Sequence, residues 1–418
     1  MRTNWSRNQV FGATDVQRPR TISALQQSVA HATAIKVLGS GHSFNRIADT
    51  HATHIILEQL PNTVAIDTHR HTARVAAQMR YGAFAQQIAA AGYAVPNMAS
   101  LPHISVAGAV ATGTHGSGMR VGNLATPVVA MTVVLASGDV QEWSMDSHGD
   151  AFAGMVVHLG GLAVVTHLTL ALIPTFDVRQ DVYVDVPFET AMEHFSEIMG
   201  SSYSVSMFTR WTDGIIDQIW RKSIAGDVEA LPAVFYGATR ATRAYHPIAT
   251  LDATPCTDQL GVFGPWHMRL PHFKMEFTPS SGDELQTEYY VGHQDAVSAL
   301  RALATIQHAI APLLHVSEIR TIARDDLWLS GQYQRDSVAI HFTWKNQWAD
   351  VQRLLPTIEG LLAPYGVRPH WGKLFTMHPD RVRETYPRMQ DFQRLMGRYD
   401  PSEKFTNDFL VGLGITKL

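Results

Sequence analysis

The sequence predicts an α+β fold in two domains, on three observations. Up to about residue 176, short helical and strand patterns mix around two glycine-rich loops. From about residue 177 a strand–helix–strand unit recurs without true internal repetition, which reads as a sheet covered by helices. A chain of 418 residues also exceeds what one hydrophobic core usually organises.

In chain order, Thr21 can cap a helix with Ile22, Leu25 and Val29 on one face. The apolar run Ile35-Lys36-Val37-Leu38 reads as a buried strand. Residues 83–91 read as a helix stopped by Gly92, and residues 128–135 and 140–143 as a hairpin about Ser137-Gly138-Asp139. Residues 164–172 form a partly alternating strand that ends before Pro174. Further on, residues 178–186 read as a strand, 188–199 as one helix and 204–211 as a strand. Residues 225–279 read as a loop, a lid or an interface. Residues 284–291 and 318–322 are strands flanking a helix that puts Leu300, Leu303, Ile306, Ile310 and Leu313 on one side.

Composition narrows the function classes. A formal charge of −4 with pI near 6.6 gives no electrostatic case for nucleic acid or an anionic membrane. The single cysteine, Cys256, excludes an intrachain disulfide framework and a Cys-based metal cluster, and suits the cytoplasm. Residues 1–20 lack an apolar signal core. Residues 154–173 carry no formally charged side chain, but Gly160-Gly161 and the alternating second half favour a buried strand over a membrane span. A soluble, cytoplasmic monomer is expected.

Two loops carry the chemistry. The first, Gly39-Ser40-Gly41-His42-Ser43-Phe44-Asn45, follows the strand at residues 35–38 directly. A strand breaking into Gly-x-Gly exposes successive N–H groups and lets a pyrophosphate approach the main chain. The dinucleotide fingerprint wants a third glycine where Phe44 stands, so the ordinary Rossmann reading fails. Alone, His42 reads more simply as one structural or surface histidine among 21. The second stretch, residues 101–118, has four glycines, two serines and two threonines with almost no charge. That composition suits a loop wrapped around a large flat ligand bearing phosphates.

Strand alternation suggests a polar pocket. Glu318 and Arg320 share one strand face, and Ser337, His341 and Thr343 share another, opposite Val338, Ile340 and Phe342. From spacing alone the simpler reading is two half-exposed strands with Glu318 and Arg320 solvated.

Gly39-Ser40-Gly41-His42-Ser43 and residues 101–118 resemble the vanillyl-alcohol-oxidase superfamily of flavoproteins. Within it, Asn97-Met98-Ala99-Ser100-Leu101-Pro102-His103 and His370-Trp371-Gly372-Lys373 resemble the bacterial alditol oxidases, over nearly the whole chain. The resemblance implies a PCMH-type FAD-binding domain over 1–176 and a substrate-binding cap over 177–367. A C-terminal segment, 368–418, would return to the FAD domain through Lys404-Phe405-Thr406-Asn407. It implies FAD joined covalently to a ring nitrogen of His42. Further cofactor contacts would come from Val37, Leu38, Gly39, Ser40, Gly41, Ser43, Ser100, Ser105, Gly108, Thr112, Gly113, Thr114, His115, Val165 and His370. Ser100, Glu318, Arg320, Thr343 and Lys373 would bind a polyol, with Lys373, Arg320 and Glu318 catalytic.

The implied reaction oxidises the terminal primary hydroxyl of xylitol or sorbitol to the aldose while dioxygen becomes hydrogen peroxide. Each polyol hydroxyl both donates and accepts, so its site needs a carboxylate, cations and hydroxyls. Lys373, its pKa lowered by its cationic neighbour, is expected to polarise or deprotonate the reacting hydroxyl. Arg320, too weak an acid to serve as a base, would stabilise the alkoxide, and Glu318 would anchor a neighbouring hydroxyl. Trp371 and Phe342 are either apolar walls or plain core. Three other readings stay open. One is a sugar-lactone oxidase, or a dehydrogenase with another electron acceptor, sharing the FAD domain. Another is a metal enzyme built on pairs such as His51/His54 and His69/His71, although no metal site is evident. The third is a non-catalytic carbohydrate-binding protein, which leaves the glycine loops unexplained.

Overall fold

The computed structural model describes residues 2–226, 232–277 and 283–418. Two cores organise them. The first lies under a five-stranded antiparallel sheet in the order Val64–Asp67, Thr72–Ala76, Val164–Ala171, Val128–Val134, Val140–Ser144. The predicted hairpin is the last pair, turning at Gly138 with φ +92°, where L side chains are strained. Helix Ile22–His31 buries Leu25 and Val29 in this core, and Thr21 Oγ1 accepts from Ala24 N at 3.1 Å. Such a cap is worth about 1 kcal/mol. A small parallel sheet orders Asp15–Gln17, Thr53–Ile55 and Ile35–Val37, and the last of these strands delivers the chain into Gly39.

The second core lies under a large antiparallel sheet. Its central strands run Asp177–Pro187, Ile215–Ile224, Ser204–Thr209, Leu314–Ile322, Ser337–Lys345 and Glu284–Gly292. One face carries Ile319, Ile340, Phe342, Trp344, Leu285 and Tyr289, which share a core with Leu300 and Leu303 of helix Ala296–Ala304 and Leu355 and Ile358 of helix Trp348–Leu362. Register puts Glu318 and Glu288 both opposite His341, so the polar residues of three neighbouring strands collect on the other face.

Several expectations need correction. Residues 188–199 are two helices, Phe188–Glu193 and Phe195–Gly200, because His194 leaves helical geometry at φ −109°, ψ 23°. The helix before Glu318 is segmented, with Ala296–Ala304 followed by the short turns Gln307–Ile310 and Ala311–Leu313. Residues 225–279 are not simply a loop: Val234–Phe235 and Ala238–Arg240 extend the large sheet, and Gly264–Pro265 pairs with its strand Asp177–Pro187. Residues 227–231 and 278–279 of that stretch lie outside the described residues.

The C-terminal segment first pairs Arg368–Pro369 with Tyr290 and Tyr289 at the sheet edge, then crosses to the first core. There Ile35 N donates to Lys404 O at 2.8 Å, and Lys404 Nζ donates to Val29 O and Ala136 O at 2.7 and 2.8 Å. No helix among the described residues is long and apolar enough to cross a membrane.

Candidate functional site

A single cavity of about 1760 Å³, counted to its open mouth, runs between the glycine-rich loops and the polar face of the large sheet.

One wall is nearly all main chain and small side chains. Val37, Leu38, Gly39, Ser40, Gly41, His42 and Ser43 line it, facing Ser105, Gly108, Thr112, Thr114 and His115 from the second loop. The two loops touch: Ser105 N donates to Ser40 Oγ at 3.1 Å. A Cβ added at Gly39 or Gly108 would lie 2.6 or 2.7 Å from Ser105 Oγ, so both glycines leave room for that hydroxyl. His42 stacks against Trp5 at 5.4 Å, and its Nδ1 is buried without a hydrogen-bond partner. Burial, with Arg80, His103 and Lys373 nearby, pulls His42 down to about 3, so the imidazole is neutral.

The other wall is charged and closely paired. Glu288, 1% exposed, accepts from Arg320 at 2.6 Å and contacts His115 Nε2 at 3.1 Å through the same oxygen. Burial alone would raise its pKa, but His115, Arg320 and His341 hold it well below the carboxylate range. His341 Nδ1 stands 3.4 Å from Glu288 Oε2 without a well-directed hydrogen bond. Glu318 and Arg320 are each 6% exposed, which overturns the solvated-surface reading. Desolvation opposes ionisation of Glu318, yet Arg320 and His272 outweigh it and hold the carboxyl ionised. Arg320 also donates to Ser100 Oγ at 3.2 Å, and His341 Nε2 lies 3.2 Å from Thr343 Oγ1.

Lys373 sits where the walls meet. His370 N donates to Glu288 O at 2.9 Å and Leu374 N to Gln286 O at 3.0 Å, so the His370–Leu374 turn is stitched to the sheet. From the other side Phe44 N donates to Gly372 O at 2.8 Å, and Asn45 Nδ2 to Lys373 O at 2.7 Å. Lys373 Nζ donates to Gln286 Oε1 and lies 4.9 Å from the Phe44 ring centroid. Its pKa falls to about 8 chiefly through desolvation. Arg320 contributes less, so the cationic neighbour is not the main cause as expected.

Of the sequence-predicted residues, Ser100, Glu318, Arg320, Thr343, His370 and Lys373 all line the cavity. Gly113 and Val165 do not. Gly113 turns at φ +62° against Val157, and Val165 pairs with Val133 inside the five-stranded sheet. Ser337 is not in the cavity wall either; its hydroxyl donates to Arg335 O at 2.9 Å. Trp371 and Phe342, 1% and 0% exposed, are core rather than wall. Sequence reasoning missed Gln286, Glu288 and His272. The first two follow the same period-2 pattern, polar at 284, 286 and 288, that singled out Glu318 and Arg320.

Residues 15–144 match the FAD binding domain family, and residues 283–413 match the D-arabinono-1,4-lactone oxidase family. The chain is 44% identical to the alditol oxidase of a Streptomyces species, over 98% of each chain. It is 26% identical to the L-gulono-1,4-lactone dehydrogenase of Mycobacterium tuberculosis, over 97% of each. Among solved structures, cholesterol oxidase from B. sterolicum superposes with a TM-score of 0.80 at 13% identity, over 98% of this chain and 96% of that one. A chitooligosaccharide oxidase superposes at 0.74 and 14%, over 100% and 94%. With the sheet, the two loops and the paired charges in place, the chain belongs to the alditol oxidase family within the vanillyl-alcohol-oxidase flavoproteins.

Proposed function

We propose that this protein oxidises the terminal primary hydroxyl of alditols such as xylitol and sorbitol to the aldose, passing two electrons to FAD and from there to dioxygen, which becomes hydrogen peroxide. One observation carries the reading: a polar sheet face suited to hydroxyls and two glycine-rich loops suited to a dinucleotide open into one cavity, with Lys373 between them. The 44% identity to an alditol oxidase supports the substrate class.

The residues present fit FAD. The small residues at Gly39 and Gly108 leave main chain accessible to phosphates, and neutral His42, with Nδ1 free of hydrogen-bond partners, offers a ring nitrogen suited to covalent attachment. In this reading 1–176 and 368–418 hold the cofactor and 177–367 form the cap. When bound, FAD supplies the acceptor for the hydride leaving the carbinol carbon.

The chain's own residues do the rest. Lys373, near pKa 8, is partly free amine at neutral pH and takes the hydroxyl proton. Arg320, kept cationic by Glu318 and Glu288, stabilises the developing alkoxide. Ionised Glu318 accepts from a neighbouring hydroxyl, and Thr343 and Ser100 offer hydroxyls that both donate and accept.

A sugar-lactone substrate is the second reading, favoured by the family match over 283–413. A peroxide-coupled screen over xylitol, sorbitol, mannitol, glycerol and gulonolactone tests both, and turnover of gulonolactone alone would replace the alditol reading. Acid precipitation of the holoenzyme should leave a yellow pellet; a colourless one would remove the covalent link to His42.

A further inference from the structure

Two buried residues behind Glu318 have no part in the mechanism above. Lys222, 1% exposed on strand Ile215–Ile224, donates to Leu270 O and Pro271 O at 2.5 and 3.1 Å and lies 3.1 Å from His272 Nδ1. Burial pulls Lys222 down to about 7, and in its ammonium form the three N–H donors match those three acceptors. His272, 5% exposed, is held edge-on by Phe208 and Trp220 at 5.6 and 5.1 Å, and its Nε2 lies 2.6 Å from Glu318 Oε1. So short a contact with a carboxylate requires the proton on Nε2, which leaves Nδ1 as the acceptor that Lys222 satisfies. The His272 main chain is fixed too: its N–H donates to Ser100 O at 3.0 Å.

We propose that His272, held in one tautomer by Lys222, is a positioning residue that fixes Glu318 to receive an inner hydroxyl of the substrate. Glu318 Oε1 is taken by His272 and approached by Arg320 Nε at 3.5 Å. Oε2 has no hydrogen-bond partner among the described residues, and the side chain lines the cavity. A carboxylate clamped through one oxygen offers the other in a single direction. It therefore discriminates between chains with and without a hydroxyl at that place. The proposal rests on the polyol reading of the site.

The test uses flavin-loaded enzyme with xylitol as substrate and 1,5-pentanediol, of equal length but without inner hydroxyls, as the competing alcohol, its inhibition constant read from the suppression of xylose formation. In His272→Ala the KM for xylitol should rise about tenfold, with kcat and the pentanediol inhibition constant held within about threefold. His272→Gln should restore the KM, because its amide offers an N–H to Glu318 and a carbonyl to Lys222. An unchanged xylitol KM in His272→Ala, or an equal loss toward both compounds, overturns the proposal. Should His272→Ala not hold flavin, Lys222→Gln decides: a selective rise in xylitol KM supports the clamp, and a non-selective or absent one overturns it. A wild-type protein inert toward xylitol sinks the alditol reading itself. An active one with non-selective variants sinks only the role of His272.

Discussion

The two walls of the cavity are built on opposite principles. The glycine wall, residues 39–43 with the Ser105–Thr114 stretch, carries no formally charged side chain, and its one histidine at the first turn is neutral. It works through space and main-chain N–H groups. The sheet wall packs Glu288, Glu318, Arg320 and His341 together at 1–7% exposure and works through charge. Burying those charges is costly unless every one is paired, so the wall behaves as a unit. A change on the glycine side is felt as a clash. On the sheet side it is felt as an orphaned charge.

Lys373 belongs to both walls, and removing it should have the largest effect. Lys373→Ala should slow anaerobic bleaching of the flavin by xylitol about 10³-fold, within the usual contribution of a positioned acid or base. Stopped-flow absorbance reads this directly with the cofactor retained, and near-normal bleaching would take Lys373 out of the chemistry.

Glu288→Gln attacks the sheet wall at its centre. Arg320 loses the charge of its 2.6 Å partner but keeps Glu318 as a counter-ion at 3.5 Å, so the cost should fall below the roughly 3–5 kcal/mol of orphaning a buried charge. The melting temperature should drop accordingly. The acid limb should change as well. Glu288 and Glu318 titrate below their ordinary 4.5 when folded. Their contribution is complete above 4.5 and is lost as pH falls through the depressed folded values. A shallower loss of structure below pH 4.5 in Glu288→Gln, followed by circular dichroism, would confirm the coupling; an unchanged limb would deny it.

The pH profile gives a smaller effect. Lys373 titrates near 8, and the free amine is the active form, so kcat/KM for xylitol should rise from pH 7 to pH 9 with its inflection near 8. A flat profile over that window would leave Lys373 with polarising work only.

Much of this contrast was legible in the sequence, for reasons that also explain what was not. Thr21, Gly92 and the Ser137-Gly138-Asp139 turn act within a few residues, so their geometry follows from local chemistry. Glu318 and Arg320 show a period of two, although spacing could not tell a solvated face from a paired, buried one. Glu288 carried the same period, blurred by polar Thr287 on the opposite face. His272 was invisible because its partners, Glu318 and Lys222, lie 46 and 50 residues away. Nothing in the local sequence marks the break at His194. Lys373 was found through family resemblance, and the main cause of its lowered pKa, desolvation, depends on the assembled cavity.

The smallest expected effect tests the glycine wall on its own terms. In Gly39→Ala the new Cβ meets only Ser105, with Oγ at 2.6 Å and Cβ at 3.6 Å, and no backbone atom outside its chain neighbours comes within 4 Å. A serine hydroxyl can rotate away, so fold stability should change by no more than about 1 kcal/mol. The methyl group and the displaced hydroxyl nonetheless intrude where the main chain approaches the ligand. Flavin content per polypeptide, read from the absorbance ratio after purification, should therefore fall while the melting temperature of the apoprotein holds. Equal losses in both would mean that Gly39 serves the core and not the cavity, and the division between a wall of space and a wall of charge would fail at its first residue.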